Sequence, residues 1–223
     1  MNSSTLRLIA CGLMLTDHLG GLFFPGEPIL RLIGRMAFPI FAFLVAQGCR
    51  WTKSPERYVT RLAALAAVSQ VPFIVAFPGA YAGGNVVLTL LAGGLVCMAP
   101  PSRRALALVV LAGAAEVCRW DYGAAGVLAV FVFWWVGERR ADRIVAFLAV
   151  GLLTAVREGL LGAALGRSFQ CDFLLQAFSG LAVWVALLYD GSGGRQWRGF
   201  FYLFYPVHLL LLAAVAAFLV SGT

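Results

Sequence analysis

Asp17 and His18 stand side by side in the stretch MLTDHLGG, residues 14–21, inside a run of apolar residues long enough to cross a membrane. A charge held at the bilayer centre costs at least roughly 2.5–3.5 kcal/mol. Ionisable groups kept at that depth are therefore candidates for chemistry. Imidazole changes charge near neutral pH, so it can take a proton from a nucleophile and hand it to a leaving group. Arginine or asparagine can hold the negative charge that develops on the oxygen of an attacked carbonyl. Such a set suits acyl transfer. It suits proton-coupled transport equally well, because carboxylate and histidine chains also carry protons through membranes.

More residues of the same kinds follow. Arg31 and Arg35 lie one turn apart in the next apolar segment, Asn85 and Asp121 open two later ones, and the last contains YLFYPVHLL, with Tyr202, Tyr205 and His208 at three-residue spacing beside Pro206. At a rise of about 1.5 Å per residue, Asp17, His18, Arg31, Arg35, Asn85 and Asp121 fall at similar depth if neighbouring segments run antiparallel. Neighbouring residues on a helix point about 100° apart, so Asp17 and His18 reach for different helices. An ion pair between Asp17 and Arg35 lowers the cost of burying both charges.

The elements that must hold these groups are set by composition. The chain has 223 residues, 61% of them hydrophobic and 12% charged, with a mean hydropathy of +0.89. Soluble domains carry about a quarter charged residues. The reading is an all-α, polytopic integral membrane bundle of about nine helices: 5–24, 28–49, 56–77, 85–99, 104–118, 122–137, 141–163, 169–190 and 199–220. The fourth, fifth and sixth are short, and one of them can be re-entrant. No room is left for a soluble domain, and the first segment, with Asp17, His18 and no small-residue cleavage site, reads as a retained span rather than a signal peptide. Proline inside the spans at Pro39, Pro72 and Pro206 removes a helix hydrogen bond each time.

Charge and cysteine usage exclude other classes. The net charge of +7 resides in arginines of short connections, which records membrane orientation rather than nucleic-acid binding. Arg50, Lys53 and Arg57 lie in the second connection, Arg103 and Arg104 in the fourth, Arg139, Arg140 and Arg143 in the sixth, and Arg195 and Arg198 in the eighth, whereas FPGE and PGAYAGG carry none. The amino terminus is therefore expected in the cytoplasm, in a bacterial-type inner membrane, and the carboxyl terminus outside. Five scattered cysteines without a CxxC pair argue against a disulfide framework or a thiolate metal site.

The blocks CGLMLTDHLGGLFFP, LRLIGRMAFPIFAFLVAQGCRWTKSPERYVTRLAALAAVSQVPF, NVVLTLLAGGL, DYGAAGVLAVF and YLFYPVHLLLL occur in order from the first span to the last. In these the chain resembles the TraX family, named for the conjugative-plasmid protein that acetylates the amino terminus of F-type pilin, and through it a wider group of transmembrane acyltransferases. The resemblance implies a single acyltransferase domain over residues 1–223 that moves an acetyl group from cytoplasmic acetyl-CoA, as co-substrate and without a metal, to an acceptor amine or hydroxyl on a protein such as a pilin, or on a saccharide, at the bilayer. It points to His18 as catalytic base, with Asp17, Arg35 and His208 in the matching blocks. Arg61, Tyr58, Arg50 and Arg57 become candidates for holding the co-substrate. Asn85, Asp121, Tyr122 and Tyr205 become candidates for the acceptor side, with Arg35 or Asn85 steadying the oxyanion. A proton-coupled transporter or flippase, with the Asp, His and Arg groups as relay, is the alternative reading.

Overall fold

The computed structural model describes residues 1–78, 83–194 and 197–221. Arg195, the side chain of Arg198 and residues 79–82 of the PGAYAGG connection, all used in the orientation argument, lie outside them. The described chain is helical throughout: α1 (Ser3–Phe23), α2 (Pro28–Gly34), α3 (Ala37–Trp51), α4 (Pro55–Ala76), α5 (Val86–Met98), α6 (Pro101–Val117), α7 (Gly123–Trp135), α8 (Arg140–Ala164), α9 (Phe169–Ala177), α10 (Ala182–Ala186) after a 3-10 turn at Phe178–Leu181, and α11 (Arg198–Ser221). It is a polytopic membrane helical bundle.

Among the described residues six stretches are long and apolar enough to cross a bilayer: Ser3–Phe23, Pro28–Trp51, Pro55–Ala76, Arg140–Ala164, Phe169–Ala186 and Gly199–Leu219. Two of the nine expected segments are not continuous helices. The second breaks at Arg35 and Met36, which form a turn between α2 and α3. The cause is Pro39, whose ring has no N–H to give and clashes with the carbonyl four residues back, that of Arg35. Pro39 thus sits in the first turn of α3, where proline is tolerated, whereas Pro72 and Pro206 lie inside α4 and α11. The eighth segment is split by the 3-10 turn.

Two of the segments expected to be short are so. Helices α5 and α7 have 13 residues each, about 20 Å at 1.5 Å per residue, against a hydrocarbon core of about 30 Å. They are tolerated because the protein itself surrounds them: α5 packs on α3, α4, α6 and α7, and α7 on α3, α5, α6 and α8. Most of each is buried. Small residues permit the approach, with Gly93 against the Val130 side chain and Gly126 against Thr89 and Tyr122. Lipid is met instead by Val68, Val71 and Val75 on α4, Val109 and Val110 on α6, and Val145, Leu148 and Leu152 on α8, all exposed.

Candidate active site

One face of α1 organises the site. Arg7, Cys11, Met14 and His18 follow at spacings of four, three and four, which places them in a column on one side of a helix. At the top of that column His18 Nδ1 lies 2.8 Å from Nε2 of His208 on α11, and His208 Nδ1 lies 2.7 Å from the carbonyl oxygen of Phe204. The two imidazole planes are within 4° of parallel. Stacked rings stay about 3.5 Å apart or more, so this nitrogen contact is made edge to edge.

The carbonyl fixes the tautomers. A carbonyl oxygen only accepts, so in a neutral pair His208 carries its proton on Nδ1 and donates it to Phe204. Its Nε2 is then an acceptor, and His18 must donate from Nδ1. The remaining lone pair of the chain is on His18 Nε2. The geometry thus joins two histidines 190 residues apart, with the second setting the orientation of the first.

Asp17 turns the other way, as the 100° rotation requires. Its Oδ1 lies 3.7 Å from Arg31 Nε and 3.6 Å from Arg35 Nε. Helices α1 and α2 approach closely here because Gly34 has no side chain: a β-carbon there would meet the backbone of Asp17. Arg35 also donates to the Tyr122 hydroxyl at 3.3 Å. Tyr122 has φ +63°, a left-handed conformation that is costly for a residue with a β-carbon. It is held there by the Arg35 hydrogen bond and by Phe38, whose ring stacks on it at 3.7 Å. Asp121 precedes it, its own carbonyl accepting from Thr89 Oγ1 at 2.6 Å.

Two cavities meet at this column. A small one of about 60 Å³ is lined by Asp17, His18, Arg31, Arg35, Asp121 and Tyr122, with Phe38, Phe73 and Phe77 among its walls. A larger one of about 430 Å³ extends toward the face that carries the amino terminus and is lined by Arg7, Tyr58, Arg61, Tyr202 and Tyr205. Met14, Phe41, Val86 and Leu90 line both, and so stand between them.

The structure sorts the expected site residues by these cavities. Asp17, His18, Arg35, Asp121 and Tyr122 come together at the small one, and Arg61, Tyr58 and Tyr205 at the large one. His208 lines neither. It is 6% exposed, packed against His18 on the side away from the cavities. Arg50 is committed elsewhere: it pairs with Glu138 at 3.1 Å and donates to the carbonyls of Trp134 and Val136, closing the carboxyl end of α7. Arg57 is exposed and lines neither cavity.

Asn85 does not offer an oxyanion donor. Its Nδ2 gives one hydrogen to the Ala66 carbonyl at 2.9 Å and the other to Gln70 Oε1 at 2.8 Å, while Oδ1 accepts from the Val87 amide at 3.0 Å. The side chain is fully buried and both its amide hydrogens are used. It caps α5 and ties the 83–85 turn to α4. Asn85→Ala is expected to lower stability by about 1–3 kcal/mol, the cost of buried groups left without partners, as read from detergent-solubilised unfolding. A change below about 0.5 kcal/mol would contradict this role.

Residue types alone did not single out Arg7, Met14, Phe73 or Phe77, which read as ordinary span residues. The available signal was the four-three-four column ending on His18. Phe77 is fixed by tertiary packing alone, its ring meeting that of His18 edge-on at 5.3 Å.

Comparison with known proteins adds to this geometry. The sequence profile described as TraX protein matches residues 2–216. A protein of Dichelobacter nodosus named probable fimbrial assembly protein FimC, serogroup H1, is 29% identical over 244 aligned positions, which cover 96% of this chain and 95% of that protein. No solved structure matches the chain. The match runs over almost the whole length, through the segments that carry His18, Arg35, Tyr122 and His208, and the chain belongs to the TraX family.

Proposed function

We propose that the protein is an acetyltransferase of the bacterial inner membrane, with its amino terminus in the cytoplasm, that transfers the acetyl group of acetyl-CoA to an acceptor amine or hydroxyl. The observation that carries this reading is the carbonyl, His208, His18 chain, which leaves a nitrogen lone pair on a residue that lines the small cavity, next to a larger cavity that shares part of its wall. The name of the Dichelobacter relative, a fimbrial assembly protein, supports a pilin-like acceptor.

In this reading the large cavity receives acetyl-CoA from the cytoplasm. Arg7 lies over the Phe201 ring at 5.7 Å, and Arg61 over the Tyr58 ring at 5.9 Å while donating to the Tyr202 hydroxyl at 3.1 Å. Both guanidiniums line the cavity, and their planar forks suit phosphate oxygens. From Arg7 to His18 along α1 is about 16 Å at 1.5 Å per residue, the distance that a narrow arm entering from the large cavity has to span. At the small cavity His18 Nε2 takes the proton of the attacking nitrogen or oxygen as its bond to the acetyl carbon forms. Arg35 faces the oxygen that gains charge. The carbon–sulfur bond then breaks, and His18 returns the proton to the departing thiolate.

The test needs no knowledge of the acceptor. In detergent, acetyl-CoA at a hundredfold excess over Kd stabilises the folded protein by about 2.7 kcal/mol, and ADP alone does so less. Arg7→Gln and Arg61→Gln each raise the Kd about tenfold, the loss of one charge-assisted contact. Folded protein that shows no shift with millimolar acetyl-CoA overturns the reading.

A further inference from the structure

The contact between the two imidazoles is built for more than fixing a tautomer. Their ring centres are 5.0 Å apart and their planes within 4° of parallel, while the contacting nitrogens are 2.8 Å apart. That distance between centres is close to the length of the contact plus two ring radii. The nitrogens therefore lie nearly on the line of centres, and the Nδ1–H of His18 points along the lone pair of His208 Nε2. In this arrangement the hydrogen can cross from one ring to the other without either ring turning.

Whether it crosses depends on how well the two ends match. A carboxylate that holds a histidine orients it and stays ionised, because its ordinary pKa, about 4, lies well below the value of about 6.5 for imidazole. Here both ends are imidazole, so the proton gains or loses little on crossing. The protein has two histidines in all, and both are in this contact. A cation confined to one ring inside the membrane is costly, and spreading it over two rings lowers the cost. The far ring is anchored as well: its Nδ1 lies 2.7 Å from the Phe204 carbonyl oxygen, a bond that strengthens when the ring is charged.

We infer that His18 and His208 work as one two-ring base: as His18 Nε2 takes the proton of the attacking nitrogen or oxygen, His18 Nδ1 passes its own proton to His208 Nε2. This rests on the acetyltransferase reading. When the carbon–sulfur bond breaks, the proton on His18 Nε2 goes to the departing thiolate and His208 Nε2 returns its proton to His18 Nδ1, so each ring ends as it began. The chain stops at a backbone carbonyl, which only accepts hydrogen bonds. The pair thus stores one proton during each transfer and conducts none onward. His208 acts through His18, as a positioning residue that also carries the proton.

The experiment is single-turnover release of CoA thiol by the full chain, in membranes that carry its native acceptor, in mixtures of H2O and D2O. For the wild-type protein the rate is expected to fall along a curve as the deuterium fraction rises, because two protons move in one step. In His208→Gln the amide oxygen accepts from His18 Nδ1 but takes no proton, so the dependence becomes a straight line. The wild-type isotope effect is then roughly the square of the variant's. His208→Gln is also expected to transfer at least tenfold more slowly than wild type, part of the contribution of about 10²–10⁴-fold from a positioned proton acceptor, while acetyl-CoA stabilises both proteins equally. A straight line for the wild-type protein overturns the inference whether or not the variant folds. A folded His208→Gln that transfers at the wild-type rate overturns it too, since orientation then suffices. Both results leave the acetyltransferase reading standing. Wild-type protein that neither releases CoA nor is stabilised by acetyl-CoA overturns the reading itself, and the inference with it.

Discussion

His18→Ala is expected to lower acetyl transfer by about 10²–10⁴-fold, the contribution of a positioned general base, in protein that still inserts and is still stabilised by acetyl-CoA. The two readouts separate because the large cavity does not include His18. In the proposed mechanism the co-substrate is bound at Arg7 and Arg61, whereas proton transfer takes place at the top of the α1 column. His208→Ala is expected to lose much of the same activity without touching either reactant, since His18 Nδ1 then has no acceptor and its ring is no longer held in one tautomer. His208→Gln keeps an oxygen near the position of Nε2 and is expected to recover part of the loss, which a purely packing role would not allow. Release of CoA thiol in acceptor-bearing membranes measures all three variants. Full transfer activity in His18→Ala would remove His18 from the mechanism.

The second large effect is on stability. Asp17→Ala is expected to destabilise the bundle by about 3–5 kcal/mol, the cost of removing one member of a buried ionic group. Asp17 Oδ1 is the shared counter-charge of Arg31 and Arg35, at 3.7 and 3.6 Å, and the three side chains are 15%, 24% and 11% exposed. Without the carboxylate, two guanidiniums face each other at the seam of α1 and α2. The helices cannot close the gap, because Gly34 already lies against the Asp17 backbone. The double variant Asp17→Ala with Arg35→Met is expected to be more stable than the sum of the single effects by about 0.5–3 kcal/mol, since it removes a charge together with its partner. Unfolding in detergent, followed by temperature or denaturant, reads both. An unchanged midpoint in Asp17→Ala would show that the arginines are neutralised from elsewhere and that the ionic group does not hold α1 to α2.

Much of the architecture was legible before the fold was known. Apolar stretches near Leu6, Ile40, Leu62, Phe147 and Leu209 are long enough to demand helices because a backbone in lipid has to satisfy its own hydrogen bonds. The rotation between adjacent residues was enough to send Asp17 and His18 to different partners, and the pairing of Asp17 with Arg35 followed from the cost of burying either alone. The break after Arg35 was implicit in Pro39, whose effect falls four residues upstream of itself.

Other roles could not be read from the chain. Asn85 and Arg50 have the chemistry of site residues, and both are spent on backbone groups of α4, α5 and α7. Their occupation depends on which helix ends lie beside them. Likewise α5 and α7 are too short to cross a bilayer alone and persist only because other helices enclose them. By itself the sequence determined what is governed by local cost: which residues enter the membrane, the helical form they take there, and which charged groups need a partner. The tertiary structure alone decided that His208, rather than Asp17, supports His18, that phenylalanines line the small cavity, and that Arg7 joins Arg61 at the wider cavity. The reason is physical: hydrophobicity and helix rotation act over a turn or two, whereas a hydrogen bond between residues 190 positions apart exists only once two helices have packed side by side.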